Sequence, residues 1–129
     1  MFLNRLVFAV LMLLALPASA QHVLGLHTVT YHSANIDCDN GNNPGLYYGN
    51  TDSGLVLGTY YNSCRKQSYY VGYITPDWRG LSVVADLVTG YVLPVTPRIY
   101  PSLAMGPFRL SGGKWGPYEV VHLSMEVRF

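Results

Sequence analysis

The sequence predicts an all-β fold, an eight-stranded antiparallel transmembrane β-barrel, on three observations. The last nine residues alternate, with Val121, Leu123, Met125, Val127 and Phe129 apolar against His122, Ser124, Glu126 and Arg128. A strand with that period has one apolar and one polar face. Turn-forming residues recur at short intervals between runs rich in β-branched and aromatic residues, the pattern of a barrel or sandwich. Charge is scarce, at 12% of residues, while tyrosine occurs eleven times. Lipid-facing barrel walls are half apolar and carry aromatic girdles at both interfaces.

Residues 1–20 are expected to be a signal peptide. Arg5 gives a basic start, Leu6 to Leu16 an apolar run, and Pro17-Ala-Ser-Ala20 a small-residue exit. The run is too short to span a bilayer as a helix, which needs about 20 residues. No cysteine stands at the expected cleavage point, which argues against a lipoprotein. Residues 21–129 then form a single barrel domain. After residue 20 the seven acidic residues are balanced by seven of the eight basic ones. No nucleic-acid surface is expected from that balance.

The strands follow in order. Val23–Tyr31 combines Val, Leu and Thr, and leads through His32 to a turn at Asp37–Pro44. Leu46–Tyr48 is short and precedes the turn Gly49–Gly54. Leu55–Tyr61 ends at Asn62 and the turn Ser63–Ser68. Tyr69–Ile74 is followed by Thr75–Gly80, and Leu81–Tyr91 by Leu93–Pro97. Arg98–Met105 ends at Gly106-Pro107, Phe108–Leu110 at Ser111–Pro117, and Tyr118–Phe129 closes the chain. Outer-membrane barrels end on such an apolar row with a terminal Phe; an ordinary half-buried strand of a soluble sheet is the other reading. An even strand number puts both termini at one end, and eight strands make a lumen that side chains nearly fill.

Two strand features constrain the wall. Asp86, Arg109 and Glu126 lie inside strands. An Arg facing lipid costs about 2–4 kcal/mol near the midplane, so these residues are expected in the lumen or at the rims. Pro97 and Pro101 cannot donate to a ladder, which places them at an edge or bulge. They mark either a lateral opening for lipid or a strand that begins later.

With the termini at one end, the odd-numbered turns gather at the other. His32, Asn62, Ser63, Cys38 and Cys64 are expected to meet there. A histidine near a serine can take its proton and make the hydroxyl a nucleophile. Alternatively, His32 is a polar rim residue and Ser63 a turn former. Arg65, Lys66 or backbone N–H groups could stabilise an oxyanion. Export to an oxidising compartment favours a Cys38–Cys64 disulfide over two unpaired thiols. His27, His32, His122 and the cysteines lack compact ligand spacing, so no metal is expected, and no organic cofactor.

These residues carry a resemblance. Thr28-Val-Thr-Tyr-His32 resembles the first-strand segment of the lipid A palmitoyltransferase (PagP) family of Gram-negative outer membranes, which ends in a catalytic histidine. Gly54-Leu-Val-Leu-Gly-Thr-Tyr-Tyr-Asn-Ser63 is similar to the third strand, which leads into an Asp-Ser pair. Tyr69-Tyr-Val-Gly-Tyr73 resembles the strand after it. Pro94 and Pro101-Ser-Leu-Ala-Met-Gly-Pro-Phe108 resemble the family's proline-marked lateral openings and sixth strand. The similarity keeps one order over most of residues 21–129.

The resemblance implies an acyltransferase of the outer membrane, a monomer, moving an acyl chain from phospholipid to lipid A or a related lipid. His32 would assist proton transfer, Ser63 act as nucleophile or positioning group, and Asn62 orient them. Asn62 stands where the family has Asp, and Ile74 where it has the glycine that floors its acyl pocket. The family's amphipathic N-terminal helix has no counterpart between Gln21 and the first strand. Two rival expectations stand beside this one: a non-catalytic outer-membrane barrel, structural or envelope-modifying, and a soluble periplasmic barrel that binds an apolar ligand.

Overall fold

The computed structural model describes residues 21–33, 38–115 and 118–129. The expected signal peptide lies outside the described residues, as do Asp37 of the first outer turn and Gly116-Pro117 of the seventh. Eight strands follow one another: β1 (His22–His32), β2 (Asn42–Asn50), β3 (Leu55–Tyr61), β4 (Gln67–Ile74), β5 (Leu81–Val88), β6 (Thr96–Met105), β7 (Phe108–Trp115) and β8 (Tyr118–Arg128). Each pairs antiparallel with the next, and β1 pairs with β8 to close the barrel. The expected all-β, eight-stranded antiparallel barrel is therefore observed.

Several boundaries differ from expectation. β2 begins at Asn42 rather than Leu46, and β7 continues to Trp115 where a turn was expected from Ser111. Both segments hold glycines, which read as turn signals but serve here as wall positions. A Cβ at Gly45 would stand 2.2 Å from the Thr59 carbonyl oxygen, so the pairing of β2 with β3 needs glycine there. β5 stops at Val88 instead of Tyr91, because Gly90 at φ +89° turns the chain away. β6 begins at Thr96 instead of Arg98. The β4–β5 link contains Arg79 and Gly80, both at positive φ, the pair of conformations that a tight type I′ hairpin requires.

Alternation sorts the side chains as a barrel wall should. Val23, Tyr47, Val56, Tyr60, Tyr70 and Val84 are buried inside. Their neighbours Leu24, Leu46, Leu57, Val71 and Val83 are exposed outside. Buried polar residues are numerous, among them Ser68, Ser82, Ser102 and Ser124. The expectation for the strand charges holds. Asp86 and Arg109 are buried, as is Glu126. Arg98 makes a two-point ion pair with Asp86, at 2.7 and 2.8 Å. Arg109 pairs with Glu126 and also donates to Ser82 and Ser102. Small inward residues seat large ones: a Cβ at Gly25 would fall 1.9 Å from Tyr47 Cζ. The Tyr47 hydroxyl in turn donates to Glu126 at 2.9 Å.

The wall is not equally sealed. β6 pairs with β7 only from Ser102↔Ser111 to Met105↔Phe108. Above that level Thr96–Pro101 pairs with β5 alone, and Gly112–Trp115 with β8 alone. Ala104 donates its N–H to Gly80 on the β5 side. Even-numbered residues of β6 therefore address β5, and the odd ones, Pro97 and Pro101 included, address β7. The prolines place their missing donors along the unpaired edge. A cleft of about 400 Å³ lies there, lined by Pro101, Leu103, Leu110, Gly112 and Val121 among others.

Candidate functional site

His32 owes its direction to one extra residue. On β1, His27, Thr28 and Val29 face only Ser124 and Leu123 of β8, a β-bulge at Thr28. A bulge shifts the side-chain phase by one. Leu24 and Leu26 point outward before it, and Val29 and Tyr31 after it. Without the bulge, Thr30 and His32 would share the outward face of Leu26. With it, both line the lumen. The Thr28 hydroxyl donates to the Leu123 carbonyl and so anchors the extra residue to β8.

The serine arrives from the β3–β4 turn. Asn62 closes β3, and its side chain is fully buried. The Asn62 Oδ1 accepts the N–H groups of Cys64 and Lys66, at 2.9 and 3.0 Å. Its Nδ2 donates to Ser68 Oγ at 2.9 Å and to the Gly90 carbonyl at 2.8 Å. Two donors and two acceptors are the whole capacity of a primary amide. Asn62 was expected to orient His32 and Ser63 directly; it acts instead on the turn backbone that carries Ser63. The donation to Gly90 needs an amide, which an aspartate in this place would lack.

The two expected reactive residues meet. Ser63 Oγ lies 3.0 Å from His32 Nε2 at the mouth of the lumen. Ser63 is buried and His32 half-buried. A neutral imidazole is able to accept a proton. With its proton on Nδ1, it accepts the Ser63 hydroxyl at Nε2, the arrangement in which histidine activates a serine.

The loops bearing the pair are tied together. Cys38 and Cys64 form a disulfide, as expected, and Asn40 donates its N–H to the Ser63 carbonyl at 3.1 Å. Removing the bond with Cys38→Ser and Cys64→Ser should cost about 3.5 kcal/mol from loop closure across 26 residues. A lower urea midpoint, matched in the wild type by reductant, is the expected reading. Of the other rim residues, Arg65 reaches Asp39 on the exposed surface at 3.4 Å and does not enter the mouth. Asn43 is buried and donates to the Asn40 and Tyr61 carbonyls. Its Oδ1 has no partner among the described residues.

From the mouth a cavity of about 630 Å³ runs down the lumen, lined by His32, Ser63 and Tyr91 at one end and by Val56, Ile74 and Arg128 at the other. Deeper down stand residues that the sequence reading missed as a group. His27 Nε2 is 2.7 Å from the Tyr70 hydroxyl, and His27 Nδ1 is 2.8 Å from His122 Nε2. His122 Nδ1 reaches Thr30 Oγ1 at 2.7 Å. Inward alternation on each strand was the available signal, but the bulge hides it on β1. Ile74 also faces inward, at the end of the barrel opposite Ser63. Among the described residues no group of three or more His, Cys, Asp or Glu is arranged to hold a metal. No protein-family model matches the chain, and no curated protein does.

Proposed function

We propose that this chain is an outer-membrane acyltransferase of the lipid A palmitoyltransferase type, moving an acyl chain from a phospholipid to lipid A or a related lipid hydroxyl. The observation that carries the reading is the 3.0 Å contact between Ser63 Oγ and His32 Nε2 at the mouth of the lumen. The apolar exterior supports the membrane location. A contiguous exposed patch of this kind is foreign to the surface of a soluble monomer. Tyr31, Tyr61 and Tyr69 stand outward near the Ser63 end, and Tyr73, Trp78 and Phe129 near the other, as interfacial girdles do. The signal peptide expected at residues 1–20 supplies the route of export.

The transfer needs only these groups and the two lipids. Ser63 Oγ bonds to the ester carbonyl carbon as its proton passes to His32 Nε2. The tetrahedral intermediate collapses, the ester C–O bond breaks, and His32 returns the proton to the leaving glycerol oxygen. The acceptor hydroxyl then attacks the acyl-Ser63 carbonyl. Its proton passes to His32 and from there to the released Ser63 Oγ. Asn62 holds the turn from which Ser63 reacts.

Lipid A mass spectrometry tests the reading. Cells expressing the full chain should gain one acyl mass, and cells expressing Ser63→Ala should not. Both proteins should sit in the outer-membrane fraction with heat-dependent gel mobility. Unchanged lipid A beside folded wild-type barrel rejects catalysis. That result is what the second reading, a non-catalytic barrel, predicts. Asn62 favours it, because the amide is engaged by the turn and puts no carboxylate on the imidazole. A soluble lipid-binding barrel would appear in the periplasmic fraction instead.

A further inference from the structure

The Ser63–His32 pair lies above the level at which the wall joins β1 to β3. β1 pairs with β2 as far as Val29↔Asn42, and the Thr30 N–H adds a bond to the Gly41 carbonyl at 2.8 Å. β2 pairs with β3 as far as Gly45↔Tyr60. His32 and Ser63 both stand beyond these last pairs. His32 is held from its other side, opposite Val120 of β8. There Ser33 donates its N–H to the Glu119 carbonyl at 3.1 Å, and its hydroxyl accepts the Glu119 N–H at 2.8 Å. Among the described residues, no sheet ladder between β1 and β3 sets the spacing of the reacting atoms.

The ties above that level come from the segment before β2. Cys38 is bonded to Cys64, the residue next to Ser63. Asn40 donates its N–H to the Ser63 carbonyl at 3.1 Å, and Asn43 Nδ2 donates to the Tyr61 carbonyl at 3.0 Å. Asp39 meets Arg65 at 3.4 Å with both side chains more than half exposed, and a pair so exposed contributes little. Asn62 shapes the turn, but its side-chain partners are Cys64, Lys66, Ser68 and Gly90, none of them on β1. The turn thus keeps its form by itself and its place chiefly through the disulfide. Cys38 and Cys64 are half-buried and line the cavity at its mouth, where a small dithiol can reach them.

We propose that the Cys38–Cys64 bond is a redox switch on the transfer: it holds Ser63 Oγ against His32 Nε2, and its reduction turns the reaction down while the barrel stays closed. The inference rests on the transfer reading above and adds its regulation. The step is thiol–disulfide exchange. A thiolate of the dithiol attacks one sulfur of the bond, and the second thiol then resolves the mixed disulfide. The dithiol leaves as a cyclic disulfide, and two electrons and two protons pass to Cys38 and Cys64, now thiols. A disulfide reagent reverses the exchange. Misplacing a reacting group by about 1 Å can cost about 10²-fold in rate, so the loss falls on kcat. The lumen below is walled by paired strands all round, so KM should not move.

The experiment takes the barrel from outer membranes into mixed micelles and follows p-nitrophenol release from p-nitrophenyl butyrate, with water as the acceptor. One sample is reduced with dithiothreitol, then freed of it by gel filtration because the reagent itself cleaves such esters. Titration of both thiols and unchanged heat-dependent gel mobility report a reduced, folded barrel. Its kcat should fall by at least about tenfold against the oxidised sample, with KM unchanged, and oxidised glutathione should restore it. The double variant Cys38→Ser with Cys64→Ser should show the low kcat with or without the treatment. A reduced, folded barrel as fast as the oxidised one overturns the inference, as does a loss carried by KM. A double variant that the treatment slows further overturns it, since the reagent then acts elsewhere. A barrel that loses its heat-dependent mobility on reduction overturns it too, the bond then being a staple of the wall. Oxidised, folded wild type that turns over no ester rejects the transfer reading itself, and the switch with it.

Discussion

Alanine at His32 should slow the proposed transfer by about 10²–10⁴-fold, the span typical of losing a general base, while unfolding stays near that of the wild type. His32 ends β1 at the rim, half-exposed, and packs little of the core. The side-chain hydrogen bond at stake, among the described residues, is the one to Ser63 Oγ. The pH profile gives a second readout. The imidazole must be neutral to accept the serine proton. The rate should therefore fall as acid protonates the imidazole. A His32→Ala protein with wild-type rates would remove histidine from the chemistry. A rate that climbs toward acid pH would contradict the direction of proton transfer.

The largest effect on stability should come from Glu126→Ala, which is expected to cost about 3–5 kcal/mol, the range for removing one partner of a buried ion pair. Glu126 accepts from Arg109 and from the Tyr47 hydroxyl. Its loss leaves the buried Arg109, among the described residues, with distant Asp77, at 3.9 Å, and the two serines. Denaturant unfolding of the purified barrel reads the difference. The double change Arg109→Met with Glu126→Leu separates charge from packing. Apolar replacement of both partners of a buried pair is often neutral or stabilising, so the double variant should recover most of the lost stability. If Glu126→Ala alone is neutral, the pair is not as dry as its burial indicates.

Legibility in the sequence differed from element to element. β8 could be read residue by residue, because its apolar and polar positions alternate without interruption and face as read. The interior charges followed from the cost of placing Arg109 or Asp86 against lipid. Pro101 pointed to an edge or bulge because a missing N–H cannot serve a ladder, but an opening and a later strand start were equally compatible with it. The Ser63–His32 meeting followed from counting turns. β2 and β7 were harder, since their glycines pack against neighbouring backbone and tyrosine rings that only the closed wall brings near. Thr28 was illegible for a related reason: a threonine in a bulge looks like a threonine in a strand. Asn62 was given a role toward His32 and Ser63, whereas its partners are two backbone N–H groups of its own turn, the Ser68 hydroxyl and the carbonyl of Gly90, 28 residues on. The layer of His27, Tyr60, Tyr70, Arg98 and His122 draws on five strands, and no local pattern joins them.

The bulge at Thr28 also has a consequence for the order of events in folding. Seven of the wall's seams join consecutive strands and can zip as hairpins. The eighth joins β1 to β8, and the Thr28 hydroxyl is bonded across that seam to Leu123. Contacts between the two ends of a chain are the slowest to form, because the loop must close before they repay it. Until then β1 has one free edge and nothing on β8 to pin its extra residue. The aim of His32 is thus among the last features to be set, and a barrel that stalls before closure is an inert one.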